Sequence, residues 1–159
     1  MKKMRNLMVL SVAILCLALT GCGGGKVSDG SDIDGSALAQ RLVQEVAFED
    51  QLTQVEEETA LALYGLSSDQ VASAVVYVGT GATAEEIAVL EGVDGKSAEA
   101  IKSQVDERIS SQLADYGDYK PEEVPKLENP VLKTRGKFVI LCVSGDNETA
   151  KSIIDEMAK

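Results

Sequence analysis

Four constellations in this 159-residue sequence have residue types and spacing that can do chemistry. Gly79-Thr80-Gly81-Ala82-Thr83-Ala84 fits G-x-G-x-x-A, a pattern whose glycines let a pyrophosphate approach main-chain amides at a helix start. Carboxylates adjoin at Glu85/Glu86, at Glu122/Glu123 and along Glu56-Glu57-Glu58, and two acids facing each other across a substrate can hydrolyse a glycosidic bond. Asp29, Asp32 and Asp34, interleaved with Gly30 and Gly35, suggest a calcium loop. Cys22 closes Leu19-Thr20-Gly21-Cys22, the spacing of a bacterial lipobox, in which the thiol takes a diacylglyceryl group.

Most of these lose their chemistry when the surrounding residues are considered. A dinucleotide site needs a βαβ unit with a second parallel strand about 30 residues on. After Ala84 the patterning predicts helix followed by helix, with no strand before Val131, so the motif reads as a glycine loop leading to a capped helix. Setting Gly35 at calcium-loop position six places Gly30 and Arg41 where carboxylates are required. Adjacent acids on a helix diverge by about 100°, and acids in a first turn complement the helix dipole. That accounts for Glu85, Glu86, Glu122 and Glu123. The chain has no histidine and no tryptophan, the usual metal ligand and proton shuttle and a common stacking surface. Cys142 lies in Phe138-Val139-Ile140-Leu141-Cys142-Val143, where a buried, inert thiol is expected. No catalytic, cofactor-binding or metal-binding residue is therefore expected. Arg108, Tyr116, Tyr119 and Pro121 suit a recognition surface, since tyrosine and arginine dominate interface hot spots. Tyrosines closing a helix over a sheet edge explain the same residues.

Cys22 survives this scrutiny. Lys2, Lys3 and Arg5 form a positive n-region, and Leu7 to Leu19 is apolar apart from Ser11. As a helix that stretch reaches about 20 Å, short of the roughly 20 residues of a bilayer span, and it reads as a secretory signal. Residues 1–21 are expected to be removed, leaving Cys22 lipidated. Two acyl chains anchor durably where one does not. Residues 22–35, rich in Gly, Ser and Asp, are expected to form a tether, and residues 36–159 one globular domain. With Cys16 in the leader and Cys22 alkylated, Cys142 has no internal disulfide partner. The net charge of −11, with every acid after Cys22, argues against nucleic acid as a partner.

Two periodicities organise the domain. Helical spacing recurs in Leu38, Leu42, Val43 and Val46, in Ile101, Val105, Ile109 and Leu113, and in Ala150, Ile153, Ile154 and Met157. Glu56–Leu63 reads as a short helix ended by Gly65, and Glu122–Leu127 as one turn. Thr83-Ala84-Glu85-Glu86 matches a capping box and predicts a helix from Ala84 to about Glu91. Val71–Val78 reads as a strand, and Val131–Arg135 with Lys137–Val143 as a hairpin turning at Gly136. The expected class is α+β, a small, mainly antiparallel sheet of about three strands with helices packed on one face.

From Leu63 onward the landmarks resemble an uncharacterised family of bacterial lipoproteins, domain of unknown function 4358. Those landmarks are Leu63-Tyr64-Gly65-Leu66, the strand to Tyr77, Ala84-Glu85-Glu86-Ile87-Ala88, Arg108, Tyr119-Lys120-Pro121, Leu127-Glu128-Asn129-Pro130, the Gly136 hairpin and the last helix. The resemblance implies a lipoprotein of Gram-positive bacteria on the outer face of the plasma membrane, and it implies no activity. Two function classes are left. One is a non-catalytic envelope module that binds a protein or wall polymer. The other is a small envelope hydrolase using Ser, Asp or Glu.

Overall fold

The computed structural model describes residues 33–159. The leader, the lipobox with Cys22, and Asp29 and Asp32 lie outside them. The order is α1 (Gly35–Glu45), β1 (Thr53–Gln54), α2 (Glu57–Leu63), β2 (Val71–Val78), β3 (Glu86–Gly92) and α3 (Gly95–Tyr119). A 3-10 turn (Pro121–Glu123), α4 (Val124–Glu128), β4 (Val131–Arg135), β5 (Phe138–Val143) and α5 (Asn147–Met157) complete it. The strands form one antiparallel sheet of five in the order β1-β2-β3-β5-β4.

Strand alternation divides the interior into two cores. Val76, Ala88, Leu90, Val139 and Leu141 face α2, α3 and α4, meeting Ala60, Tyr64, Ile101, Val105 and Leu127. Ile87, Val89, Ile140 and Cys142 face the opposite way, against Leu38 and Leu42 of α1 and Ala150, Ile153 and Ile154 of α5. Helices therefore cover both faces, where one was expected, and the sheet has five strands in place of about three. The reason is that β5 is buried at every position and β3 at all but one. Strands apolar on both sides need a cover on each.

Local signals set the ends. Asp34 caps α1 by accepting from the Ala37 N–H (2.9 Å), Asp94 caps α3 from Ser97 (2.7 Å), and Asp146 caps α5 from Thr149 (3.2 Å). Ile33 is buried beside α1 and packs in the same core as Leu38 and Leu42. Gly136, at φ 54°, turns the β4–β5 hairpin.

The helix expected from Ala84 to Glu91 is strand β3 instead. Ile87 and Leu90 have helical spacing, but Ala88 and Val89 between them are equally buried, and four consecutive buried residues fit a central strand as well as a helix. The capping box does not form: Glu86 turns to tertiary partners.

Candidate functional site

The chemistry-bearing residues converge where β2 passes into β3. The connection, residues 79–85, is gripped from three directions. From the α1–β1 segment, the Asp50 carboxylate accepts from the Thr80 N–H (2.7 Å) and hydroxyl (2.8 Å). From the end of α3, the Tyr116 hydroxyl donates to the Thr83 carbonyl (2.5 Å), and the Lys120 ammonium donates to the Ala82 carbonyl. From the 3-10 turn, Glu123 accepts from the Ala84 N–H (2.9 Å).

The glycine motif therefore does bind an anion, and the anion is the chain's own Asp50. A Cβ on Gly79 would lie 2.6 Å from Asp50 Oδ2, so this glycine admits the carboxylate as a P-loop glycine admits a phosphate. Gly81 takes φ 89°. No helix follows, so the dipole that a nucleotide site uses is missing.

Two buried ion clusters flank the loop. Glu86 shares the strand face of Ala88 and Leu90 and meets α3. Its carboxylate takes Arg108 in a two-pronged contact (Nε 2.8 Å, Nη2 2.5 Å), accepts from the Tyr64 hydroxyl, and receives Gln112 Nε2 at 3.4 Å. The guanidinium also lies 5.0 Å from the Tyr64 ring centre and donates to the Leu63 carbonyl (3.2 Å). Arg108 thus joins α2, β3 and α3 at one point. Glu85 forms the second cluster. Its Oε2 accepts from the Glu49 and Asp50 N–H groups, both at 2.9 Å. Its Oε1 lies 3.3 Å from Lys126, which also pairs with Glu49 (2.9 Å) and Glu123 (3.1 Å).

Three carboxylates thus surround one ammonium. Burial would lower the Lys126 pKa, but hydrogen bonds to Glu49 and Glu123 and the charge of Glu85 outweigh it, and the net shift is upward. Arg108 behaves alike: burial opposes its charge, and Glu86 more than restores it. Burial, then the Glu86 charge, drives the Tyr64 hydroxyl well above its ordinary value. Hydrogen bonds from Thr80 hold Asp50 below its ordinary value, and Lys126 does the same for Glu49.

A cavity of about 170 Å³ opens between the loop and α3, lined by Gly79, Gly81, Thr83, Glu86, Arg108 and Gln112. Gln112 Oε1 is buried and has no hydrogen-bond partner among the described residues. The volume suits a few waters or a very small polar molecule.

Among the expected recognition residues, Arg108 and Tyr116 serve the interior. Tyr119 is 61 % exposed and stacks on Tyr116 with ring centres 5.0 Å apart. Pro121 begins the 3-10 turn that delivers Glu123. Glu85, Glu86 and Glu123, explained from the sequence as helix-start acids, are instead almost fully buried. The signal for Glu85 and Glu86 was the apolar run after Glu86, which marks a central strand whose leading acids need partners; Glu123 had none. Lys126 had no sequence signal. Cys142 is buried, and burial pushes its thiol up to about 12, so it is protonated and unreactive near neutrality.

Among the described residues no helix is long and apolar enough to cross a membrane, and no three His, Cys, Asp or Glu side chains are grouped to hold a metal. A family model described as a domain of unknown function, DUF4358, matches residues 44–144, from the end of α1 through β5. No curated protein and no solved structure matches the chain.

Proposed function

The chain belongs to the DUF4358 family, and from that premise we propose that it is a non-catalytic binding module, held by a lipid on Cys22 at the outer face of the plasma membrane, that engages an envelope protein or wall polymer. The observation that carries the reading is the fate of the buried acids. Glu85, Glu86 and Glu123 each have a cation and at least one further donor of the fold as partners. A general acid or nucleophile needs a carboxylate free to change charge or to attack. These three are already engaged in holding the β2–β3 loop, and a catalytic role would require breaking that hold.

The lipobox, the basic-then-apolar leader and the glycine-rich residues after Cys22 support the anchored half of the proposal. The test is crosslinking in intact cells, followed by isolation of the adduct. A specific envelope protein or wall fragment is expected, and release of the anchor by Cys22→Ala is expected to reduce its yield. Turnover of wall glycan, peptide or ester substrates by the purified protein, abolished by a single Ser, Asp or Glu substitution that leaves the fold intact, would replace this reading with a hydrolase.

A further inference from the structure

The two edges of the sheet are finished differently. The β4 edge carries Lys133 and Arg135, both paired with Asp155 of α5 (3.4 and 3.2 Å). Charged side chains of this kind deter another strand from adding. The β2 edge has no such guard. Its partner β1 is two residues long and pairs only with Tyr77 and Val78, with one further bond from the Val55 N–H to the Val76 carbonyl (3.0 Å). The chain then turns away into α2, leaving Val71–Val75 facing no strand on that side among the described residues.

The direction of the free groups follows from the register. The Val76 carbonyl points to β1, so Ala74, two residues earlier, points its N–H and C=O the same way. Among the described residues neither group has a main-chain partner across that edge. They open onto a groove of about 600 Å³ lined by Ser36, Gln54, Val55, Glu56, Ser73 and Ala74. Val71–Val75 contains no charge and no proline, the residues that block strand addition elsewhere. Glu56 and Glu57 are exposed at the groove, in no ion pair among the described residues.

We propose that the open β2 edge is a docking site for an extended, lysine- or arginine-bearing segment of another polypeptide, which adds to the sheet beside Ala74 while its cations meet Glu56 and Glu57. Main-chain hydrogen bonds supply the affinity in this mode, and side chains the selectivity. A second copy of this chain is disfavoured by charge, because the groove would set glutamates against a protein of net charge −11. The proposal rests on the binding-module reading and gives it a surface and a partner chemistry.

The test uses the full chain and a fluorescein-labelled ten-residue peptide of alternating lysine and valine. Saturable binding is expected, with slowed amide exchange at Ala74. Affinity should fall at least tenfold for a peptide N-methylated at its central residues, for a glutamate–valine counterpart, and for the E56K/E57K variant, whose changes are on exposed positions. Equal binding of the N-methylated peptide, protection elsewhere on the domain, or no binding overturns the proposal. So does an Ala74 amide already protected without peptide, which would mean that residues 23–32 or a second copy fill the groove; concentration-dependent self-association identifies the copy. A cellular partner crosslinked away from the groove overturns the edge proposal while leaving the module reading intact. Hydrolytic turnover overturns the module reading, and the peptide measurements still decide the edge.

Discussion

Replacing Lys126 by methionine removes the ammonium that Glu49, Glu85 and Glu123 share, leaving Glu85 and Glu123 as buried carboxylates close to each other. Breaking a buried pair from one side typically costs 3–5 kcal/mol, because the remaining charge is uncompensated. Lys126→Met should therefore lower the unfolding free energy by about that amount in a urea titration. Arg108→Lys keeps the charge but loses the fork that takes both Glu86 oxygens, so a drop of about 1–3 kcal/mol is expected in the same measurement. The pH dependence has a defined sign. Asp50 is held below its ordinary value of 3.8 by Thr80. Its contribution is thus fully present above that value and fades as pH falls through the lower folded-state value. Lys126 is raised above 10.5, so its contribution is complete below that pH and is lost only as alkalinity passes the folded-state value. Urea midpoints followed from pH 7 to pH 3 should show an acid limb that Asp50→Asn makes shallower; an unchanged limb would place the acid sensitivity elsewhere. Little of this was legible in the sequence. Glu85 and Glu86 look like first-turn acids because Thr83 stands where a cap would, and only the sheet reveals that the residues after them are buried on both faces.

Helices α1, α3 and α5 show in the sequence by the helical spacing of one apolar face, and the β4–β5 hairpin by Gly136 between two apolar runs. Strand β3 was hidden because it lies second in from β1 and between two helical layers, so its residues alternate in direction without alternating in polarity. The two-residue β1 was too short to leave any pattern. The one-sided sheet expected from three strands follows from that single misreading: with β3 taken as helix, β2 has no partner beside the hairpin. Gly92 marks the cost of the real arrangement. It ends β3 where α3 begins, and a Cβ there would lie 2.7 Å from the Ala98 nitrogen and 2.9 Å from the Asp94 oxygen, both main-chain atoms. Gly92→Ala must move the first turn of α3 away from the strand, at a cost of about 1–3 kcal/mol. Calorimetry should show a lower Tm with cooperativity retained; an unchanged Tm would mean that the turn yields freely.

For the whole molecule, the two cores on opposite faces of one sheet lead to the expectation of a domain that folds without metal or disulfide. Every described helix contributes at least one buried residue to one core or the other, and Cys142, the single described cysteine, has no partner. Unfolding should accordingly be cooperative and indifferent to chelator and reductant. A thiol reagent at pH 8 should modify Cys142 only as the domain unfolds, since burial holds the thiol near 12. Fast labelling under native conditions would show that β5 opens locally, between the α1–α5 layer and the sheet. The proposed anchor adds a prediction about place. Net charge −11 disfavours an electrostatic hold on anionic lipid, so under this proposal the acyl chains on Cys22 carry the membrane attachment. With two chains present, each buried methylene contributing about 0.8 kcal/mol, the wild-type chain should sediment with membranes at high salt as at low. Cys22→Ala should take up no labelled fatty acid and should be released or mislocalised. Labelling that persists without the thiol would refute lipid anchoring at Cys22 whatever the domain binds.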